Sequence, residues 1–438
     1  MGVQSLDLRP YYRALQIDSL YSFEGRINQI VGMTVEATGI TCNIGDVCNI
    51  QLGQGRVVPA EAVGFRENKV LLMPYQEIDG IGFDSTVKNT RQKLTVRMSD
   101  SLVGRTVDAL GFPIDGGPPI EGGVPYSIAG EPSNPMQRPP IKEPIELGVR
   151  AIDGLLTIGK GQRMGIFAGS GVGKSTLMGM IARNVKADVN VIALVGERGR
   201  EVVEFINRDL GPEGAARSVL VVATSDQPAM MRNKCAMTAT AIAEYFRDQG
   251  KDVLLMMDSL TRFCMAQREI GLSIGEPPVA RGYTPSIYTA LPKLLERSGN
   301  FERGSITGIY TVLVEGDDAN EPISDTVRGI IDGHIMLSRK VAQKNHYPAI
   351  DILASISRLM SEIAAPEHKA AAGRMRNMMS VYQENQDLIS IGAYKSGTNP
   401  RLDEAIEHMD AINGFLQQPV DRGSDFALTV EQLGQVVQ

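Results

Sequence analysis

The hydrophobic pattern changes its period three times along the chain. Between about residues 23 and 87, short β-like runs (25–31, 46–52, 57–65 and 69–73) are separated by turn residues. Cys48, Ile50 and Leu52 alternate with Asn49 and Gln51, the period of a strand with one buried face. Gly45-Asp46 and Gly53-Gln54-Gly55 punctuate these runs, and several short strands at such spacing predict a small β-barrel over 23–90. Ahead of it, residues 1–22 form an N-terminal arm of mixed polarity with Tyr11, Tyr12 and Leu15, which suits a short helix as well as an extended arm.

Residues 111–144 break any period. They contain Gly116-Gly117-Pro118-Pro119 and Arg138-Pro139-Pro140. Proline fixes φ and removes a donor, so this stretch reads as a stiff connector and not as a helix or central strand. Apolar runs at 164–168, 189–195, 218–224 and 253–257 then alternate with helical patterns after Lys174 and around 235–248. Continuous apolar strands separated by helices predict a parallel sheet covered on both faces, an α/β domain spanning 91–360. From 361 to 438 the pattern is helical, with Pro366 suited to a first turn. Met375, Met378, Met379 and Tyr382 form one stripe; Leu402, Ile406, Met409, Ile412 and Leu416 form another, and both read as core packing.

Composition narrows the function. Lys and Arg total 44 against 51 Asp and Glu, a net charge of −7. That balance argues against nucleic acid as the main partner and against a polybasic membrane anchor. No stretch approaches the ~18 apolar residues of a membrane span, and no basic-then-apolar leader opens the chain. Met1-Gly2 is no myristoylation signal, because Leu6 stands where Ser or Thr is needed. Cys42, Cys48, Cys235 and Cys264 lack CxxC spacing and read as reduced core thiols in a cytoplasmic protein. His334, His346, His368 and His408 are too dispersed for a zinc site, so any metal must arrive with a substrate.

The strongest chemical signal is Ala168-Gly169-Ser170-Gly171-Val172-Gly173-Lys174-Ser175, followed by Thr176, between an apolar strand and a helix. Glycines let the backbone curl so that N–H groups converge on phosphate oxygens at a helix N-terminus. Lys174 would meet the β- and γ-phosphates and Ser175 would offer a hydroxyl to Mg²⁺. Ala168 stands where the strict pattern has glycine, which a negative φ tolerates. The run 252–258 is an apolar strand ending in an acid, which places Asp258 at the ligand-binding edge of such a sheet as the metal-side partner. Glu197-Arg198 ends another apolar strand: there a carboxylate can orient an attacking water, although position alone serves a surface Glu–Arg pair equally well.

These segments together resemble the catalytic subunits of rotary ATP synthases and their relatives. The similarity runs through Gly169 to Thr176, Gly196-Glu197-Arg198, Leu102-Val103-Gly104-Arg105, Pro113-Ile114-Asp115-Gly116, and Pro348-Ala349-Ile350-Asp351 followed by Ser355-Ile356-Ser357-Arg358. It covers about residues 24 to 417. Within that superfamily, 275–286, Thr224-Ser225-Asp226-Gln227 and Ile391-Gly392-Ala393-Tyr394-Lys395 resemble the type III export ATPases, and the tail around 399–406 is most similar to the flagellar branch.

The resemblance implies an ATPase that takes Mg²⁺ with its ATP. It makes Glu197 the catalytic glutamate and Arg198 its positioning neighbour. Arg358 matches the arginine finger that reaches a neighbouring subunit's nucleotide. Tyr347 matches the aromatic on adenine, and Tyr394 is a candidate for the base's other side. The implied assembly is a homohexamer with a stator-like regulatory protein, a central stalk-like protein, and export chaperones and substrates, peripheral to an export gate at the cytoplasmic face of the inner membrane, without specific nucleic acid. Alternatives are an injectisome ATPase, a catalytic or non-catalytic rotary-synthase subunit, and a hexameric RNA helicase. Glu197 speaks against the non-catalytic subunit, and net −7 with 5% aromatic residues speaks against the helicase.

Overall fold

The computed structural model describes residues 24–83, 85–130, 133–314 and 321–438; the arm, 1–22, lies outside them. The chain divides into two compact units, 1–94 and 95–438.

In the first unit, β1 (Glu24–Val31), β2 (Thr34–Thr38), β3 (Asp46–Gln51), β4 (Val57–Arg66), β5 (Lys69–Pro74) and β6 (Thr86–Lys93) close a barrel in the order β1-β2-β5-β4-β3-β6. Closure leaves no strand edge unpaired. The alternation read from the sequence is the barrel's inside–outside pattern: Cys48 and Ile50 are buried with Val35, Val58, Leu72 and Val87, while Asn49 and Gln51 are half-buried. Cys48 is a core thiol, its pKa pushed up to about 12 chiefly by burial.

The second unit begins with β7 (Thr95–Met98), β8 (Thr106–Asp108) and β9 (Val124–Ser127). The connector is therefore not wholly irregular: β9 pairs antiparallel with β7, with Arg97 opposite Pro125. A proline is tolerated there because a two-stranded ribbon has free edges, and that is why the run did not read as a strand. Then follow β10 (Arg163–Ala168), α1 (Lys174–Asn184), β11 (Val189–Glu197), β12 (Ser218–Thr224), α2 (Ala229–Asp248), β13 (Asp252–Asp258), α3 (Leu260–Ile274), α4 (Pro285–Leu295), β14 (Gly299–Asn300), β15 (Ser305–Leu313), β16 (Gly333–Leu337) and β17 (Ile350–Ser357).

The sheet order is β17-β16-β10-β15-β13-β11-β12-β8, with β14 beside β15. From β16 to β8 the strands are parallel; β17 alone on this path runs antiparallel, on the outer side of β16. All nine residues of β11 are buried, as a strand covered on both faces requires.

The C-terminal helices are α5 (Pro366–Glu384), α6 (Pro400–Leu416) and α7 (Phe426–Val436). They share one core with the sheet: Met375, Met378, Ile412, Phe415 and Leu433 belong to the same buried cluster as Ile166 and Leu194. The stripe predicted on α6 needs one correction. Ile406 is 37% exposed and Ala405 is buried, so the inner face runs Leu402, Ala405, Met409, Ile412, Leu416. Spacing of three and four residues admits either, but at about 100° per residue 405 lies about 25° from the centre of the stripe formed by 402, 409, 412 and 416, and 406 about 75° from it.

Candidate functional site

Parallel strands bring their carboxyl ends to one edge, and the loops that follow them build the site there. The loop after β10 turns through Gly171 at φ +76 and Gly173 at φ +86. A Cβ on Gly171 would meet nothing within 4 Å, so backbone conformation and not crowding calls for glycine there. The helical ladder of α1 begins with Leu177 N–H donating to the Gly173 carbonyl at 3.0 Å. The N–H groups of Lys174, Ser175 and Thr176 are left outside it, at the positive end of the helix.

This loop lines a cavity of about 620 Å³. Of the predicted phosphate-loop residues, all but Val172 line it; the Val172 side chain points into the core at 2% exposure. Five cations (Lys174, Arg198, Arg208, Arg262 and Arg339) face two carboxylates, Glu197 and Glu201, a balance suited to a polyanion.

Lys174 stands between two acids. Its Nζ donates to Asp258 Oδ1, and it lies 3.8 Å from Glu197 Oε1. Asp258 is 4% exposed and also accepts from Thr311 Oγ1 at 2.8 Å. Glu197 is 9% exposed, and its Oε1 is buried without a hydrogen-bond partner. Burial, then the negative charge of Asp258, raises the Glu197 carboxyl to about 7, with Lys174 opposing. A carboxyl poised near neutrality on a residue that lines a polar cavity, with one oxygen outside any hydrogen bond, has the properties of a general base or water-orienting group. Arg198 is 76% exposed and pairs with Glu201 at 3.4 Å, so it rims the cavity.

Ser175 and Asp258 offer hard oxygen donors beside the phosphate loop, the set that Mg²⁺ takes when it arrives on a triphosphate. Among the described residues no three His, Cys, Asp or Glu gather around one point, so this is no self-contained metal cage.

The remaining predicted residues separate. The Tyr347 ring packs on the loop: a Cβ on Gly173 would lie 3.5 Å from its Cε1, and the side chain is 39% exposed. Neither Tyr347 nor Tyr394 is among the residues lining the cavity; the Tyr394 hydroxyl bonds the Asn399 carbonyl at 3.1 Å and Asp403 Oδ1 at 2.9 Å, at the start of α6. Arg358 also lies away from its own loop. At the loop edge Leu337 pairs with Ala168 and with Ile350; at the opposite edge Gly333 pairs with Ser357, which precedes Arg358. The four residue steps between these edges are about 13 Å of strand. There Arg358 is exposed, with Nη2 donating to the Arg328 carbonyl at 3.1 Å.

Sequence reasoning missed Glu201 and Arg208, which line the cavity, and three further residues. Arg262 lines the cavity and donates from Nη1 to the Gly196 carbonyl at 3.1 Å; its signal was its place one helical turn after Asp258. Arg339 lines the cavity from just beyond β16, and no local motif marks it. Gln418 N–H donates to the Tyr347 carbonyl at 3.0 Å, while its Oε1 accepts from Arg150 N–H at 2.9 Å and its Nε2 donates to the Gly148 carbonyl at 2.8 Å. That contact spans 71 positions of chain and has no local signature.

The chain is similar to known proteins over nearly its whole length. The family described as ATP synthase alpha/beta family, nucleotide-binding domain, matches residues 148–357, and its beta-barrel domain matches 27–91. The T3SS EscN ATPase C-terminal domain matches 364–435. A flagellum-specific ATP synthase of Bacillus subtilis (strain 168) is 56% identical over 93% of this chain and 93% of its own length. A type 3 secretion system ATPase of Xanthomonas euvesicatoria is 50% identical over 94% of this chain and 93% of its own. The assembled ATPase EscN of enteropathogenic E. coli superposes with a TM-score of 0.89 at 45% identity, covering 94% of this chain and all of that one. A second structure of EscN, in complex with its central stalk EscO, superposes at 0.88.

Proposed function

This chain belongs to the ATP synthase alpha/beta family, and from that premise we propose that it is the ring-forming ATPase of a flagellar type III protein-export apparatus. It is an ATP-hydrolysing enzyme, with relatives named as ATPases and ATP synthases over nearly its whole length. The flagellar reading rests on the flagellum-specific relative at 56% identity; an injectisome role is the second reading, supported by the 50% identical secretion ATPase.

In the proposed reaction the phosphate-loop N–H groups and Lys174 hold the β- and γ-phosphates. Ser175 and Asp258 would hold the Mg²⁺ that comes with ATP, which would neutralise charge on the phosphate oxygens. Glu197 orients water and takes its proton in line with the γ-phosphorus. Arg262, which lines the cavity, shares the γ-phosphate charge, with Arg198 at the rim. The base stacks on the exposed ring of Tyr347, with Tyr394 as the candidate for its other side.

Arg358 carries the assembly proposal. A guanidinium on the sheet edge opposite its own phosphate loop can serve nucleotide only in another copy, so a heterologous ring, here a homohexamer, completes the site. A central stalk-like protein, a stator-like regulator, chaperones and export substrates are its proposed partners at the cytoplasmic face of the membrane; the EscN–EscO complex supports the stalk. Mixing is the test. Lys174→Ala and Arg358→Ala chains, each inactive alone, should regain ATPase activity together, because one supplies the loop and the other the finger. Mixed rings that form but stay inactive at every ratio would overturn this reading.

A further inference from the structure

The turn that carries Glu197 is itself held. Glu197 follows Gly196, which sits at φ +69 where the β11–β12 register shifts. A Cβ on Gly196 would lie 3.2 Å from Arg262 Cβ and 3.6 Å from Arg232 Cδ, so two arginine stems pack against the same side of the turn that enters Glu197. The Glu197 carbonyl in turn accepts Ser225 N–H at 3.0 Å.

The two arginines differ in use. Arg262 reaches the cavity, whereas Arg232 does not line it and its side chain is 14% exposed. Arg232 Nε donates to the Gln227 carbonyl at 3.0 Å, in the turn between β12 and α2, and Nη2 donates to Glu269 Oε2 at 2.6 Å. Arg262 and Glu269 are seven residues apart on α3, two turns along one face. Helix α3 therefore meets the Gly196–Glu197 turn in two ways: Arg262 bonds the Gly196 carbonyl, and Glu269 holds the Arg232 stem that packs beside Gly196.

We infer that Arg232 and Glu269 form a positioning pair for Glu197, which sets where its carboxylate stands without touching nucleotide or water. The inference rests on the reading of Glu197 as the water-orienting group. Misplacement of a reacting group by about 1 Å costs on the order of a hundredfold in rate, so loosening one of the two contacts is expected to cost about tenfold. A pair that merely staples α2 to α3 would change stability and leave turnover per folded ring unchanged.

The test uses the full-length protein at concentrations that saturate ring assembly. Glu269→Gln keeps the shape and removes the charge at a side chain already 41% exposed, so folding should survive. Its kcat should fall about tenfold while affinity for a fluorescent ADP analogue stays within about twofold. Arg232→Lys, which keeps charge but loses the bond to Gln227, should fall between wild type and Arg232→Ala. Adding Glu269→Gln to Arg232→Ala should cost nothing more, because the two act as one unit. Glu197→Gln is run alongside. If it is inactive and Glu269→Gln turns over normally, the positioning role is overturned while the reading of Glu197 stands. Nucleotide affinity falling in parallel with kcat also overturns it. If Glu197→Gln itself turns over normally, the reading beneath the inference is what fails.

Discussion

Lys174 and Arg358 stand at opposite edges of the same sheet. Lys174 follows the carboxyl end of β10, and Arg358 follows β17, the antiparallel strand beyond β16. No side-chain rotation joins them within one chain.

Arg358→Ala should therefore leave nucleotide binding by each subunit intact and lower ring turnover by about 10³ to 10⁵, the range for an arginine finger. Specific activity of the wild type should climb steeply with protein concentration. Equilibrium nucleotide binding and a dilution series of ATPase rates check both. Activity per chain that stays constant on dilution below the assembly range speaks against a shared site.

Replacing Glu197 with Gln should keep ATP binding while turnover drops about 10²- to 10⁴-fold, the contribution of a general base. Since burial raises the Glu197 carboxyl to about 7, kcat/KM of the wild type should fall about tenfold per pH unit below that value. Stability should move the other way. The folded state binds this proton more tightly than the unfolded one, so Glu197 costs stability as pH rises from about 4.5 through 7. Thermal midpoints of Glu197→Gln should then exceed wild type at pH 8 and match it at pH 4. A gain that is equal at both pH values contradicts the assignment.

The phosphate loop and the strands were legible because their signals are local. Glycine spacing reports the turn around Gly171 and Gly173, and continuous apolar runs report β11 and β13. The pair of acids around Lys174 was legible only as two strand ends; that they meet on one ammonium is a product of sheet order, which places β13 between β11 and β15. Gln418 and Arg339 had no signal at all, since distant chain brings them to the site. Tyr394 was named from a local motif, and the same local stretch anchors its hydroxyl on Asp403 at the start of α6.

Lys174→Ala should abolish nucleotide binding and turnover together. It also leaves Asp258, 4% exposed, and Glu197 facing one another without a cation. Removing one partner of a buried pair costs about 3–5 kcal/mol, and the half-open cavity here lowers that to about 1–3 kcal/mol. Denaturant melts at pH 8 check it; a variant as stable as wild type would mean that the acids share a proton instead.

Tyr347→Ala should raise KM for ATP by about ten- to a hundredfold, the ~1–3 kcal/mol of a base on an aromatic ring. Tyr394→Phe should leave KM within about twofold. Titration with an etheno-ATP analogue separates the two, and equal losses would put the Tyr394 hydroxyl itself at the base.

The barrel encloses a core of its own, built from Ile27, Val35, Ile50, Leu72 and their neighbours, whereas the sheet and the C-terminal helices bury theirs in common. Heat should accordingly take this polypeptide apart in two separate endotherms. Fuel loaded onto the phosphate loop would push only the larger one upward, leaving the smaller as an internal thermometer that does not notice whether the engine is filled.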